Sequence, residues 1–121
     1  MVWEKGDILR GRDGSDAIHP IIFLAGHDDT FFVGAMLTHR DRGNVSMSEK
    51  HFYKQDSEGN KYELFFDQTY LVEALLLKRL EWLPFRKVGQ LTDVGVTFVD
   101  SKIGNFIPEL WEAYKAQGGK H

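Results

Sequence analysis

His19 and Thr38 are the two side chains of this 121-residue chain best placed, by type and spacing, to do chemistry together. His19 stands directly before the apolar run Pro20-Ile21-Ile22-Phe23-Leu24, and Thr38 ends the next apolar run, residues 31–38. If the two runs pair as an antiparallel hairpin, both residues fall near one end of it. An imidazole, with an ordinary pKa of about 6.5, can accept or donate a proton near neutrality. A hydroxyl beside it can donate to a developing oxyanion. Strand ends are also polar in folds that do no chemistry, and on these residues alone the ordinary end of a hairpin is the favoured reading.

The other reactive residues form weaker patterns. His27-Asp28-Asp29 has metal-ligating side chains, but neighbours in a turn point in different directions, so it reads as a polar turn. His51 precedes Phe52-Tyr53 without a partner at a recognisable spacing, and His121 is terminal. The chain has no cysteine, which excludes a disulfide framework, a thiolate zinc site and a cysteine nucleophile. It has no Walker-type glycine loop, GxGxxG, GxSxG or HExxH motif. No metal and no cofactor is therefore expected. Basic residues gather at Arg10/Arg12, Arg40/Arg42, Lys78/Arg79 and Arg86/Lys87. Together they are able to make a phosphate-binding face; each alone reads as solvated surface charge.

These residues must be held by strands. Residues 6–10 read as a first strand, and Gly11-Arg12-Asp13-Gly14-Ser15-Asp16 is a dense loop signal. Pro20 opens the buried run where no ladder donor is needed, and the turn Gly26-His27-Asp28-Asp29 joins it to residues 31–38 as a hairpin. Val45 and Met47, alternating with Ser46 and Ser48, suggest a short half-exposed strand, and Tyr62-Glu63-Leu64-Phe65-Phe66 resumes the β pattern. Residues 69–80 fit a helix through Leu71, Leu75, Leu76 and Leu77, or a strand through Tyr70, Val72, Ala74 and Leu76; a strand is favoured at the start. Residues 86–91 read as a last strand.

Thr92-Asp93 has helix N-cap chemistry, with Val94, Phe98 and Ile103 on one face. Gly104-Asn105 ends that helix, and Asn105 would cap a second through Pro108, Glu109, Leu110, Trp111 and Tyr114. The whole, residues 1–121, reads as one α+β domain with a small, strongly curved antiparallel sheet or barrel and C-terminal helices.

Composition agrees with a folded domain: 42% of residues are hydrophobic and 27% charged. A net charge of −3 lacks the basic balance that would by itself indicate nucleic acid. Met1-Val2-Trp3-Glu4-Lys5-Gly6-Asp7 has no apolar h-region, and no apolar run approaches the roughly 20 residues of a membrane span. A soluble, cytoplasmic protein is expected.

Lys5-Gly6-Asp7-Ile8, Gly14-Ser15-Asp16, His19-Pro20-Ile21-Ile22-Phe23-Leu24 and Ala35-Met36-Leu37-Thr38, in that order, resemble successive landmarks of the MazF/PemK-like toxin family. Lys78-Arg79-Leu80 and Val88-Gly89-Gln90-Leu91 fit its later pattern loosely. The resemblance implies an SH3-like barrel with helices, a homodimer, and metal-independent cleavage of single-stranded RNA restrained by an antitoxin protein. Such cleavage uses the ribose 2′-hydroxyl as nucleophile and needs a proton acceptor, a proton donor and a neutraliser of the phosphorane. The family's catalytic arginine before proline maps onto His19, and its threonine onto Thr38. Histidine keeps the acid–base chemistry but not the permanent forked charge. Arg10, Arg12, Ser15, His39 and Arg40 are the implied phosphate-binding residues. An inactive relative, or a non-catalytic barrel that binds a protein or peptide through its aromatic residues, is the alternative.

Overall fold

Successive side chains of a strand point to opposite faces, so two adjacent apolar residues are both buried only where both faces are covered. Ile8-Leu9, Ile21-Ile22 and Ala35-Met36 are such pairs, and all six are fully buried. The computed structural model, which describes residues 3–12, 15–65, 68–80 and 85–118, accounts for this with a sheet between two apolar layers. Gly14, Phe66 and His121, singled out above, lie outside those residues.

In chain order the elements are β1 (Asp7–Arg10), α1 (Ser15–Ile18), β2 (Ile21–Gly26), β3 (Phe31–Thr38), β4 (Val45–Ser46), a 3-10 turn (Glu49–His51), β5 (Tyr70–Leu71), β6 (Leu76–Arg79), β7 (Arg86–Gln90), α2 (Asp93–Ile103), β8 (Glu109–Leu110) and α3 (Trp111–Ala116). The sheet runs β4-β5-β3-β2-β1-β7, antiparallel throughout. β6 lies beside the first half of β3, and β8 runs parallel to β6. Among the described residues it is an eight-stranded, mostly antiparallel sheet that is not closed, with three short helices: a small α+β fold.

The hairpin β2–β3 forms as its apolar runs predict, with Ile21 opposite Met36 and Ile22 opposite Ala35. Asp28 makes its turn by accepting hydrogen bonds from the N–H groups of Thr30 and Phe31, at 2.8 and 2.9 Å. Those bonds are the main reason its carboxyl is held below the usual aspartate range. On one face Ile8, Ile22, Leu37 and Val88 pack with Val99 and Ile103 of α2. On the other Leu9, Ile21, Phe32, Met36 and Leu76 pack with Trp111 and Tyr114 of α3.

Thr92 caps α2, its hydroxyl accepting from the Gly95 N–H at 3.1 Å. The buried face of α2 is Gly95, Val99 and Ile103, one residue on from the predicted Val94 and Phe98; Val94 is exposed. Gly95 explains the offset: a Cβ there would stand 2.3 Å from the carbonyl oxygen of His51, so only glycine lets α2 approach the 3-10 turn. The second helix starts later than predicted. Residues 109–110 extend as β8 and Leu110 occupies the N-cap position, because backbone pairing with β6 claims that stretch. Residues 62–65 form no strand. Leu64 donates a single hydrogen bond to the Val88 carbonyl (2.7 Å), with Glu63 drawn aside to Arg86. No helix among the described residues is long and apolar enough to cross a membrane.

Candidate functional site

The register of the hairpin decides what meets at its end. Extending the Ile21–Met36 pairing by two residues sets His19 opposite Thr38, and the Leu37 N–H donates to the Pro20 carbonyl at 2.9 Å. β5 lies on the other side of β3 with Tyr70 opposite Thr38, which brings Thr69 to the same end. These chain ends enclose a cavity of about 400 Å³, within the range of small-ligand sites. Its polar lining comes from His19, Thr38, His39, Arg40 and Thr69. Its apolar wall is Ile18, Pro20, Leu37 and Leu64. Every ionisable side chain among these is basic.

Thr38 is 3% exposed, and its hydroxyl oxygen accepts from the Arg40 N–H at 3.2 Å. That bond occupies a lone pair and leaves the hydroxyl proton to donate elsewhere. The Asn44 side chain in turn donates to the Arg40 carbonyl at 3.0 Å, which fixes the loop behind Thr38.

His19 is delivered by α1, a single helical turn held in three ways. The Gly11 N–H donates to the Asp16 carbonyl at 3.0 Å, and Gly11 is needed there because a Cβ would stand 2.8 Å from that of Asp16. Arg10 donates to the Ala17 carbonyl at 2.9 Å. Asp16 meets Lys78 of β6 at 2.7 Å with both side chains 1% exposed, and the Lys78 ammonium lies 5.9 Å from the Trp111 ring centroid.

Of the residues assigned from the sequence, His19, Thr38, His39 and Arg40 meet at one cavity. Arg10 and Arg12 are not among its lining residues. Arg10 is spent on α1 and on Glu63, 3.4 Å away, and Arg12 is exposed. Ser15 begins α1, and its side chain lies outside the described residues.

Two residues escaped sequence reasoning. Lys78 is a core residue, not part of a solvated basic cluster. The period of two sets it on the same face as the buried Leu76, a signal already present in the strand pattern. Thr69 lines the cavity from the residue before β5, where nothing but its neighbour's pairing with Thr38 points to it.

His27, Asp28 and Asp29 form the exposed hairpin turn, and among the described residues no group of three His, Cys, Asp or Glu is placed to hold a metal ion. His51 is buried and stacks on Phe98, with ring centroids 4.3 Å apart. Its Nδ1 accepts from the Ser48 N–H at 3.0 Å, so its work is in the core. Comparisons with protein-family models, with curated proteins and with solved structures give no match to this chain.

Proposed function

We propose that this protein is a MazF-like endoribonuclease that cuts single-stranded RNA at the cavity between the β2–β3 hairpin and β5, without a metal ion. The observation that carries the reading is the meeting of His19, Thr38 and Arg40 on one cavity whose ionisable lining, among the described residues, is wholly basic. In this reading His19 takes the proton from the ribose 2′-hydroxyl, or returns one to the leaving oxygen. The 2′-oxygen bonds to phosphorus, the bond from phosphorus to the 5′-oxygen breaks, and that oxygen leaves as a hydroxyl. Thr38 donates to a non-bridging oxygen as charge builds on the phosphorane, and Arg40 with His39 holds the flanking phosphates. With Arg10 engaged at α1, Arg40 is the arginine left to replace the forked charge that His19 lacks. The segment that bridges Phe52 to Leu91 and joins Leu64 to Val88 lies along β7 and supports the reading of the sheet as an SH3-like barrel.

A second reading, a non-catalytic domain that binds a protein or peptide, is favoured by one observation. Phe106 and Ile107 are 43% and 85% exposed beside a cleft shared with Tyr114, Glu73 and Glu109. Variants at His19 separate the two. His19→Ala should lower RNA cleavage on the order of 10²-fold while the protein stays folded. His19→Arg should keep or raise cleavage and flatten the acid limb of its pH profile. Wild-type cleavage with unchanged pH dependence in His19→Gln, which cannot shuttle a proton between about pH 5 and 8, would remove His19 from the mechanism.

A further inference from the structure

Tyr53, Gln55, Asp56, Ser57, Tyr62 and Gln90 line a second cleft, of about 470 Å³. Its character is opposite to that of the first cavity, for among the described residues no basic side chain lines it. Asp56 accepts from the N–H groups of Asn60 and Glu58, both at 2.9 Å. The Asn60 bond is the main reason its carboxyl is held below the usual aspartate range, so it stays a carboxylate and an acceptor. A phosphate would be repelled. Gln90 Oε1 already accepts from the Tyr62 hydroxyl at 3.1 Å and the Lys87 ammonium at 3.0 Å, which leaves its Nε2 to donate. Tyr53 has its N–H fixed on the Gln90 carbonyl at 2.9 Å, while its side chain is 45% exposed. An exposed ring on a fixed backbone, beside amide groups and a carboxylate, suits a flat neutral ring with hydrogen-bonding edges.

One segment joins this cleft to the first cavity. Tyr62 and Leu64 are half-buried while Lys61, Glu63 and Phe65 are exposed, so Tyr62 and Leu64 share one side of an extended stretch. Leu64 lies on the wall of the first cavity and Tyr62 on that of the second, about 7 Å apart along the chain. The Leu64 N–H donates to the Val88 carbonyl at 2.7 Å, and a Cβ at Gly89 would stand 2.5 Å from the Leu64 carbonyl oxygen. Glycine there lets the segment lie tight on β7. We propose that the second cleft takes a nucleobase of the single-stranded RNA whose phosphates bind at the first cavity, the base stacking on Tyr53 with its edge toward Gln55, Asp56 and Gln90. This rests on the reading of the first cavity as a site for single-stranded RNA, and not on cleavage there. Stacking tolerates any base, because each has a π-face, while the carboxylate favours edges that carry N–H donors.

The test measures binding of a short, mixed-sequence 2′-O-methyl oligonucleotide, which has no nucleophile to be cut by, to wild type, Tyr53→Ala and Tyr53→Trp. Tyr53→Ala should bind roughly 10-fold more weakly, the loss of one base–aromatic stack. Tyr53→Trp should bind at least as tightly as wild type, and both variants should melt with it because the ring is exposed. Removing bases from the oligonucleotide one at a time makes the same test on the unaltered protein. The abasic change at one position should cost wild type the same factor and Tyr53→Ala nothing more. Equal affinity of wild type and Tyr53→Ala would overturn the assignment, as would abasic losses as large in Tyr53→Ala as in wild type at every position. No binding of the oligonucleotide by wild type, or binding of free nucleosides that the oligonucleotide does not share, would also overturn it. RNA cleavage by the same proteins keeps the two claims apart. Tyr53-dependent binding with no cleavage would leave the cleft standing and remove the endoribonuclease. Cleavage accompanied by binding indifferent to Tyr53 would do the reverse.

Discussion

Lys78→Met tests how the fold holds His19, through the ion pair buried beneath α1. Asp16 and Lys78 are each 1% exposed and 2.7 Å apart, so neither charge is screened by water. Methionine keeps the length and apolar stem of lysine and removes the charge, leaving the Asp16 carboxylate buried without its cation. Breaking a buried pair by removing one partner costs about 3–5 kcal/mol. Loss of the ammonium facing Trp111 adds on the order of 1 kcal/mol. Against a total stability of roughly 5–15 kcal/mol, that is a large share, and at roughly 4 °C per kcal/mol for a domain of this size the melting temperature should fall by about 16–24 °C. Asp16→Leu combined with Lys78→Met should regain wild-type stability or exceed it, as apolar replacements of buried pairs do. Urea unfolding and thermal melts of the two single variants and the double give the coupling directly. A Lys78→Met protein within about 1 kcal/mol of wild type would refute the claim that the pair anchors α1.

The buried His51 predicts a pH dependence of stability. Burial first, and the neighbouring Lys50 charge second, hold its imidazole below the usual histidine pKa, and protonating Nδ1 would break its bond from the Ser48 N–H. A lowered folded-state pKa gives stability that is whole above the unfolded value of about 6.5 and is lost as pH falls below it. Wild type should therefore lose stability from about pH 7 to pH 5 relative to His51→Gln, measured by urea unfolding; parallel curves would count against it. The cleft at Phe106 and Ile107 predicts a symmetric homodimer that buries this surface. Sedimentation at tens of micromolar, a range that populates a standard-size interface, should show a dimer that Ile107→Glu converts to monomer, and a wild-type monomer would contradict it.

The hairpin at the centre of the site was legible because both of its strands are buried on both faces. Residues 20–24 and 31–38 read as unbroken apolar runs, and a polar turn between them leaves one way to pair. That pairing alone brings His19 to Thr38. The N-cap at Thr92 was legible because a cap is a local hydrogen bond. Most of what was missed depends on contacts distant in sequence, although the burial of Lys78 follows from its place two residues after Leu76. The buried face of α2 turned by one residue because Gly95 must pass the His51 carbonyl, a neighbour 44 positions earlier. Residues 109–110 became a strand rather than a helix start because β6 offered them an edge. Arg10 and Lys78 looked like surface cations, and it took the position of α1 to show that they anchor the turn before His19.

The central claim is tested most directly by incubating the pure protein with mixed-sequence single-stranded RNA in EDTA and analysing the fragment ends, followed by a substrate carrying one 2′-deoxyribose at a mapped cut site. Cleavage should proceed in EDTA, leave ends that follow from attack by the 2′-oxygen, and stop at the deoxy position alone. No cleavage at generous protein concentration, or continued cleavage at the deoxy-substituted bond, would contradict the account.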